Sequence, residues 1–271
     1  NEGLRQRSGW FQGRELVDTA MLRSRGFSTE EIPGGCFCCR FNSLVDAARK
    51  LTSATRPDVF IAEPVGSCTD LVATVTYPLR RIYGNEFSIA PLSVLVDPIR
   101  AERIFGLTEG GKFSEKVLYI YRKQLEEADI LVVTKSDLLD AVRMGRLVKR
   151  LEEEFPNSEV RTVSVRTGAD VEEWFAAIES AEQPSRATME VDYQVYAEGE
   201  ALLGWLNATV QLAETGDGFD SEAVLRHFAE DLQGRLTDGE IAHLKMTLSP
   251  DEALGDGAVV NLVGRNLVPE L

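Results

Sequence analysis

The sequence predicts an α/β fold: a mostly parallel sheet sandwiched by helices, followed by a smaller α+β domain. Three observations predict it. Four short runs of continuous β-branched and aliphatic residues, "DVFIAEPVG" (58–66), "LSVLVDP" (92–98), "ADILVVTKSD" (128–137) and "VRTVSVRTG" (160–168), each end in a polar or glycine-containing turn. Such runs read as strands buried on both faces, the usual situation in a parallel sheet. Stretches with helical periodicity fill the spaces between them, and beyond a polar, proline-containing linker at 180–188 the alternation stops.

Taken along the chain, "NEGLRQRSGWFQGRELVD" has no clear period before Glu15, so the expectation is that the chain begins partway into a domain or that its first dozen residues are not native to the fold. A helix is expected over 43–54, with Leu44, Val45, Ala48 and Leu51 on one face and Asn42 or Ser43 as its cap. A second spans 114–128, with Val117, Ile120, Tyr121 and Leu125 inward, and a third spans 137–155, closed by Pro156. After the linker, "MEVDYQVYA" (189–197) alternates like a half-exposed strand. The segments 198–213 and 221–236 read as helices, and 242–249 and 257–264 as strands. The expected division is a domain over 1–182 and a smaller α+β domain over 183–271.

The 271 residues carry a formal net charge of -15, which argues against nucleic acid or an anionic membrane as partner, since both need a basic surface. No run approaches the ~18 apolar residues of a membrane span, and no signal peptide opens the chain. Four cysteines in this length are no disulfide framework, so a reducing, cytoplasmic setting is expected.

Ligands of an open parallel sheet bind beyond the carboxyl ends of its strands. The turns there are Glu63-Pro-Val-Gly66, Asp97-Pro98, Thr134-Lys135-Ser136-Asp137 and Ser164-Val165-Arg166-Thr167-Gly168. In "TKSD", the Asp137 carboxylate can accept both N–H donors of a guanine edge while the Lys135 stem lies along the base. The competing reading is a surface turn in which Asp137 caps the next helix. "SVRTG" on the next strand supplies Ser164 and the Val165 backbone N–H on the same side of the sheet. Glu63 suits Mg²⁺, usually through water, and Gly66 can give its backbone N–H to a terminal phosphate. Read alone, Glu63 is a plain strand-end carboxylate.

Three of the four cysteines sit in "GGCFCCR" (34–40). Thiolates at this spacing can converge on one soft or borderline cation, Zn²⁺ foremost and Cu⁺ also suited. Gly34 and Gly35 allow the tight backbone path. Cys68, two residues past Gly66, can serve as a fourth ligand or as a small buried loop residue. A redox pair of Cys36 with Cys39 is the third option, and adjacent thiols suit it poorly. His227 and His243 lie far from the cysteines and read as structural or surface residues.

Together, "GGCFCCR", a strand ending in Glu-x-x-Gly and "QLEEADILVVTKSD" resemble the CobW-type metallochaperone GTPases, over roughly residues 12–180. The resemblance implies a P-loop-GTPase-like sheet and a smaller α+β C-terminal domain. It also implies GTP and Mg²⁺ as ligands, a transition-metal cargo, and a client metalloprotein or metal-cofactor enzyme as partner. Carried over, Cys36, Cys38 and Cys39 match the metal ligands, Glu63 and Gly66 the switch loop, and Thr134, Lys135 and Asp137 the guanine motif. Thr134 departs from the usual asparagine, which ties the guanine loop to the phosphate loop. "QGRELVD" (12–18) matches a first switch, with Asp18 near metal or nucleotide. No Gly-x-x-x-x-Gly-Lys-[Ser/Thr] occurs in the chain, and "EGGKFS" (109–114) has the wrong spacing. The expectation is a chain whose first strand and phosphate loop lie upstream of Asn1, the full-length protein hydrolysing GTP. The alternatives are a non-hydrolysing metal-binding scaffold with a degenerate nucleotide fold and, less suited, a thiol redox protein.

Overall fold

The computed structural model describes residues 7–11 (backbone only), 16–32, 40–84, 86–110, 113–184, 188–204, 206–212, 220–236, 239, 241–249 and 257–263. In chain order the elements are β1 (Arg7–Phe11), α1 (Val17–Ser24), β2 (Ser28–Glu31), α2 (Phe41–Thr55), β3 (Val59–Glu63), α3 (Tyr77–Tyr83), β4 (Ser93–Val96) and α4 (Pro98–Ile104). They continue with α5 (Glu115–Glu127), β5 (Ile130–Val133), α6 (Ala141–Glu154), β6 (Glu159–Thr162), α7 (Val171–Ser180), α8 (Tyr193–Glu200), α9 (Ser221–Arg235), β7 (Leu244–Leu248) and β8 (Ala258–Leu262). A π-helical turn (Val72–Thr76) leads into α3. The chain divides into two compact units, residues 1–35, 42–65 and 205–271, and residues 36–41 and 66–204. Among the described residues no helix is long and apolar enough to cross a membrane.

The second unit holds the parallel sheet β4-β5-β6. Its logic is clearest in β5, where "ILVV" is buried at all four positions. Successive side chains of a strand point to opposite faces. Leu131 and Val133 accordingly join Leu125 of α5 and Leu147 and Leu151 of α6 in one core, while Ile130 and Val132 pack with Val163 against Trp174 and Ile178 of α7. Helices therefore cover both faces of this sheet, as the unbroken apolar run requires. Side chains fix the helix starts: Asp97 caps α4 with Pro98 in its first turn, Ser114 caps α5, and Asp140 accepts from the backbone N–H groups of Val142 and Arg143 at the head of α6.

The first unit holds a second parallel sheet, β2-β1-β3, and an antiparallel hairpin, β7-β8. The hairpin packs its inner face, with Val260 fully buried, on Leu225 and Ala229 of α9. Among the described residues the two three-stranded sheets are parallel and the β7-β8 sheet is antiparallel, the two kinds expected.

Several local expectations are corrected. The stretch without a period contributes β1, which pairs in parallel with β2 and β3. Helix α2 begins at Phe41, so Asn42 and Ser43 lie inside its first turn instead of capping it. "MEVDYQVYA" is not a strand: the Asp192 carboxylate accepts from the N–H groups of Gln194 and Val195 and starts α8. That helix stops at Glu200, and 206–212 is non-helical with Leu206 90% exposed, so the long helix expected over 198–213 does not form.

Candidate functional site

Three groups of predicted residues can be placed. The first lies at the carboxyl ends of β4, β5 and β6. Thr134 anchors the loop after β5 to β4: its N–H (2.9 Å) and its hydroxyl (3.2 Å) both donate to the Val96 carbonyl. The next residue, Lys135, takes the left-handed backbone conformation (φ 51°, ψ 41°), uncommon for a side chain of this size. Its ammonium reaches the Asp97 carboxylate at 3.2 Å. The Ser136 N–H donates to the Val163 carbonyl, which ties the loop to the far strand as well.

Asp137 then sits exposed in a short 3₁₀ turn, Ser136–Leu138. The reading that made it a helix cap fails, because Asp140 caps α6 three residues later. The Asp137 carboxylate instead accepts a 2.5 Å hydrogen bond from the hydroxyl of Ser164, which is buried. That bond, with Arg166 and Lys135 nearby, holds the Asp137 pKa below the ordinary carboxylate value. Ser164 is itself fixed: its N–H donates to the Ala169 carbonyl, and its hydroxyl oxygen accepts from the Thr167 N–H at 3.2 Å. Val165, beside it, is 74% exposed. Thr134, Lys135, Asp137, Ser164 and Val165 thus come together on one rim of one sheet.

The second group lies in the other unit. Glu63 ends β3, and Asp18 occupies the first turn of α1. Burial raises the Glu63 pKa, the Asp18 charge raises it further, and Lys245 opposes both. The residue as a whole stays open to solvent at the strand end. Lys245, from β7, forms an ion pair with Asp18 across 227 positions of sequence. Two carboxylates in one field are the donor chemistry a hard divalent cation takes, so these residues fit Mg²⁺.

The third group is the loop after Gly66. Cys68 is buried, 4% exposed, and is disulfide-bonded. The other three cysteines, Cys36, Cys38 and Cys39, lie outside the described residues. Among the described residues no group of three metal-binding side chains occurs. The loop is held from two helices. Gln124 of α5 donates its side-chain amide to the carbonyls of Gly66 and Cys68, both at 2.8 Å. Glu127 of the same helix accepts from the Val72 N–H at 2.5 Å, and the Tyr193 hydroxyl of α8 donates to the Asp70 carboxylate.

Sequence reasoning missed Asp97, Gln124 and Lys245. Asp97 carried a signal, since Asp-Pro at a strand end was already a candidate turn. Gln124 and Lys245 carried none, because polar residues on a helix or strand read as solvated faces.

The family model for the nucleotide-binding domain of CobW, HypB and UreG proteins matches residues 12–161. The zinc chaperone YeiR of Escherichia coli is 30% identical over 128 residues, which is 46% of this chain and 35% of that protein. The chain thus matches about a third of the length of this relative. The crystal structure of the hydrogenase maturation factor HypB from Archaeoglobus fulgidus shares 18% identity, covering 65% of this chain and 75% of that one with a TM-score of 0.39.

Proposed function

Since the chain belongs to the CobW/HypB/UreG nucleotide-binding-domain family, we propose that it is the switch-bearing part of a GTP-dependent metal chaperone, with zinc as cargo. The observation that carries the reading is the rim built from Lys135, Asp137 and Ser164. There an acidic side chain is released from helix capping, kept ionised and held in place by a buried hydroxyl. An ionised carboxylate that can accept two N–H donors selects guanine over adenine, which lacks the exocyclic amine at that edge. The Val165 N–H is the donor for the base carbonyl.

Glu63 and Asp18 hold Mg²⁺, which supplies charge neutralisation to the phosphates when bound. Gly66 gives its N–H to the terminal phosphate. The cargo metal binds Cys36, Cys38, Cys39 and Cys68. What supports counting Cys68 among them is its place two residues past Gly66, buried in the loop that Gln124 holds. Copper(I) is the rival cargo on ligand softness alone, and the relative's identity as a zinc chaperone favours zinc. In this reading residues 1–182 form the nucleotide- and metal-binding domain and 183–271 the smaller C-terminal domain. The protein works in the cytoplasm and delivers metal to a client metalloprotein or metal-cofactor enzyme. GTP hydrolysis requires, besides these residues, the nest of backbone N–H groups that a phosphate loop supplies.

The test measures GDP and ADP binding by titration calorimetry, and zinc content after reduction. The reading expects GDP to bind at least tenfold tighter than ADP, one zinc per chain, and loss of that zinc in Cys36→Ser. Equal affinity for the two nucleotides overturns the guanine assignment. A reduced protein that takes up no metal yet cycles a disulfide establishes the redox alternative.

A further inference from the structure

We propose that Asp97 is a positioning residue for the guanine loop, its carboxylate holding the Lys135 side chain ready for the base before nucleotide arrives. The proposal rests on the guanine reading above and adds a residue to it.

One carboxylate does two jobs here. Its Oδ1 accepts from the Arg100 N–H at 2.9 Å and so caps α4, while its Oδ2 lies 3.2 Å from the Lys135 ammonium. An ordinary surface ion pair contributes little, because both side chains lose freedom to form it. Asp97 has already lost its freedom to the cap, with Pro98 behind it in the first turn of the helix. The helix is itself held in place. Glu102 of α4, 1% exposed, receives two hydrogen bonds from the Arg143 guanidinium of α6. The acceptor for Lys135 is therefore a fixed point, only partly exposed at 21% of its side-chain surface.

Lys135 is constrained from its other end as well. Its left-handed backbone sets the direction in which the side chain leaves. The doubled bond from Thr134 to the Val96 carbonyl fixes the residue before it. Residues 96–97 of β4 thus template residues 134–135 of the neighbouring strand. This is the support that threonine, in place of asparagine, provides from within this sheet. A lysine stem has four rotatable bonds, and ordering them in advance removes a cost that binding otherwise carries. The ammonium, drawn to Asp97, leaves the methylene stem stretched along the rim where the base lies.

The test uses Asp97→Ser, Asp97→Asn and Lys135→Met. Serine keeps the helix cap and cannot reach the ammonium, and asparagine keeps one acceptor oxygen for the cap while turning an NH2 donor toward the ammonium. Two quantities are read on the chain: Kd for a fluorescent GDP, and the rate at which the Lys135 amine is acylated without nucleotide, followed by peptide mass spectrometry. Asp97→Ser is expected to weaken GDP roughly fivefold and to speed acylation roughly threefold, with Tm unchanged. Asparagine, which keeps the cap but loses the charge and the second acceptor, weakens GDP much as serine does, and adding Asp97→Ser to Lys135→Met costs nothing further. If Asp97→Ser binds GDP as the unsubstituted chain does, or if its loss adds in full to that of Lys135→Met, the proposal is overturned while the guanine reading stands. If the unsubstituted chain shows no preference for GDP over ADP, both are overturned, and an unchanged acylation rate refutes the tether on its own.

Discussion

The hydroxyl of Ser164 donates to the carboxylate of Asp137 at 2.5 Å, across the gap between the loops that follow β6 and β5. The serine is buried and the aspartate exposed, so the interior of the sheet dictates where a solvent-facing charge stands. Ser164→Ala should therefore weaken GDP binding about tenfold without a comparable change in Tm. The pH profile gives a second check. A depressed carboxylate pKa favours the ionised form above the ordinary value near 3.8, and that preference is lost as pH falls through the lower folded value. GDP affinity should stay level from about pH 8 to about pH 5, and in Ser164→Ala its acid decline should begin at higher pH.

Glu63 has the opposite sign. Its pKa is raised from 4.5, so ionisation is disfavoured in the folded protein. The resulting penalty is present above the folded value and disappears as pH falls below the unfolded one. Glu63→Gln should raise Tm at neutral pH by about 1–2 °C, leave it unchanged near pH 4, and abolish any stabilisation by Mg²⁺. Thermal melts at the two pH values, with and without Mg²⁺, check all three.

Lys245→Met removes a cation whose field opposes that penalty, and frees Asp18 from its ion pair. Two carboxylates then face each other with less compensation. Tm should fall, more at low salt than at high salt, because the repulsion is screened. Millimolar Mg²⁺ should restore more of the loss in Lys245→Met than it adds to the unsubstituted protein. Equal Mg²⁺ shifts in the two would show that the lysine and the cation do not compete.

The buried carboxylate of Glu102 depends on Arg143 for two hydrogen bonds. Arg143→Ala strands that charge and should cost about 2–4 kcal/mol in urea unfolding. Glu102→Leu with Arg143→Met removes both partners and should cost far less, since an apolar pair of similar volume leaves nothing unsatisfied.

Gly199 lies in α8 where a Cβ would meet the Lys116 carbonyl oxygen at 2.7 Å and the Ile120 Cδ1 at 2.8 Å. Gly199→Ala should therefore push α8 off α5 and destabilise by about 1–3 kcal/mol. The Tyr193 contact to Asp70 should weaken with it, read as faster hydrogen exchange in residues 66–72.

Much of the second unit was legible because its central strand, β5, has no polar face. A run such as "ILVV" admits one placement, between two layers of helix, and the turn after it lies at the sheet's carboxyl rim. The parts that were not legible have local signals outweighed by nonlocal ones. "STEE" has no apolar run to mark a strand, yet forms β2 because its backbone pairs with β1 and no apolar side chain is required for that. "MEVDYQVYA" alternates like a strand, but one capping carboxylate at Asp192 outweighs the alternation and starts a helix. The partnership of Lys245 with Asp18 depends on tertiary placement alone, which no window of sequence contains.

Gln124 carries one amide nitrogen with two hydrogens, and each goes to a different carbonyl of the same loop, Gly66 and Cys68. The nitrogen has no third hydrogen in reserve. A displacement of either carbonyl by much more than half an ångström, without the other, breaks a bond that the side chain cannot replace from its own stock. Gly66 and Cys68 are thereby yoked: the loop shifts as one piece with α5 as its handle, or one of the two contacts is lost. The sulfur of Cys68 and the backbone of Gly66 need no long path between them, because a single side chain makes the pair one lever.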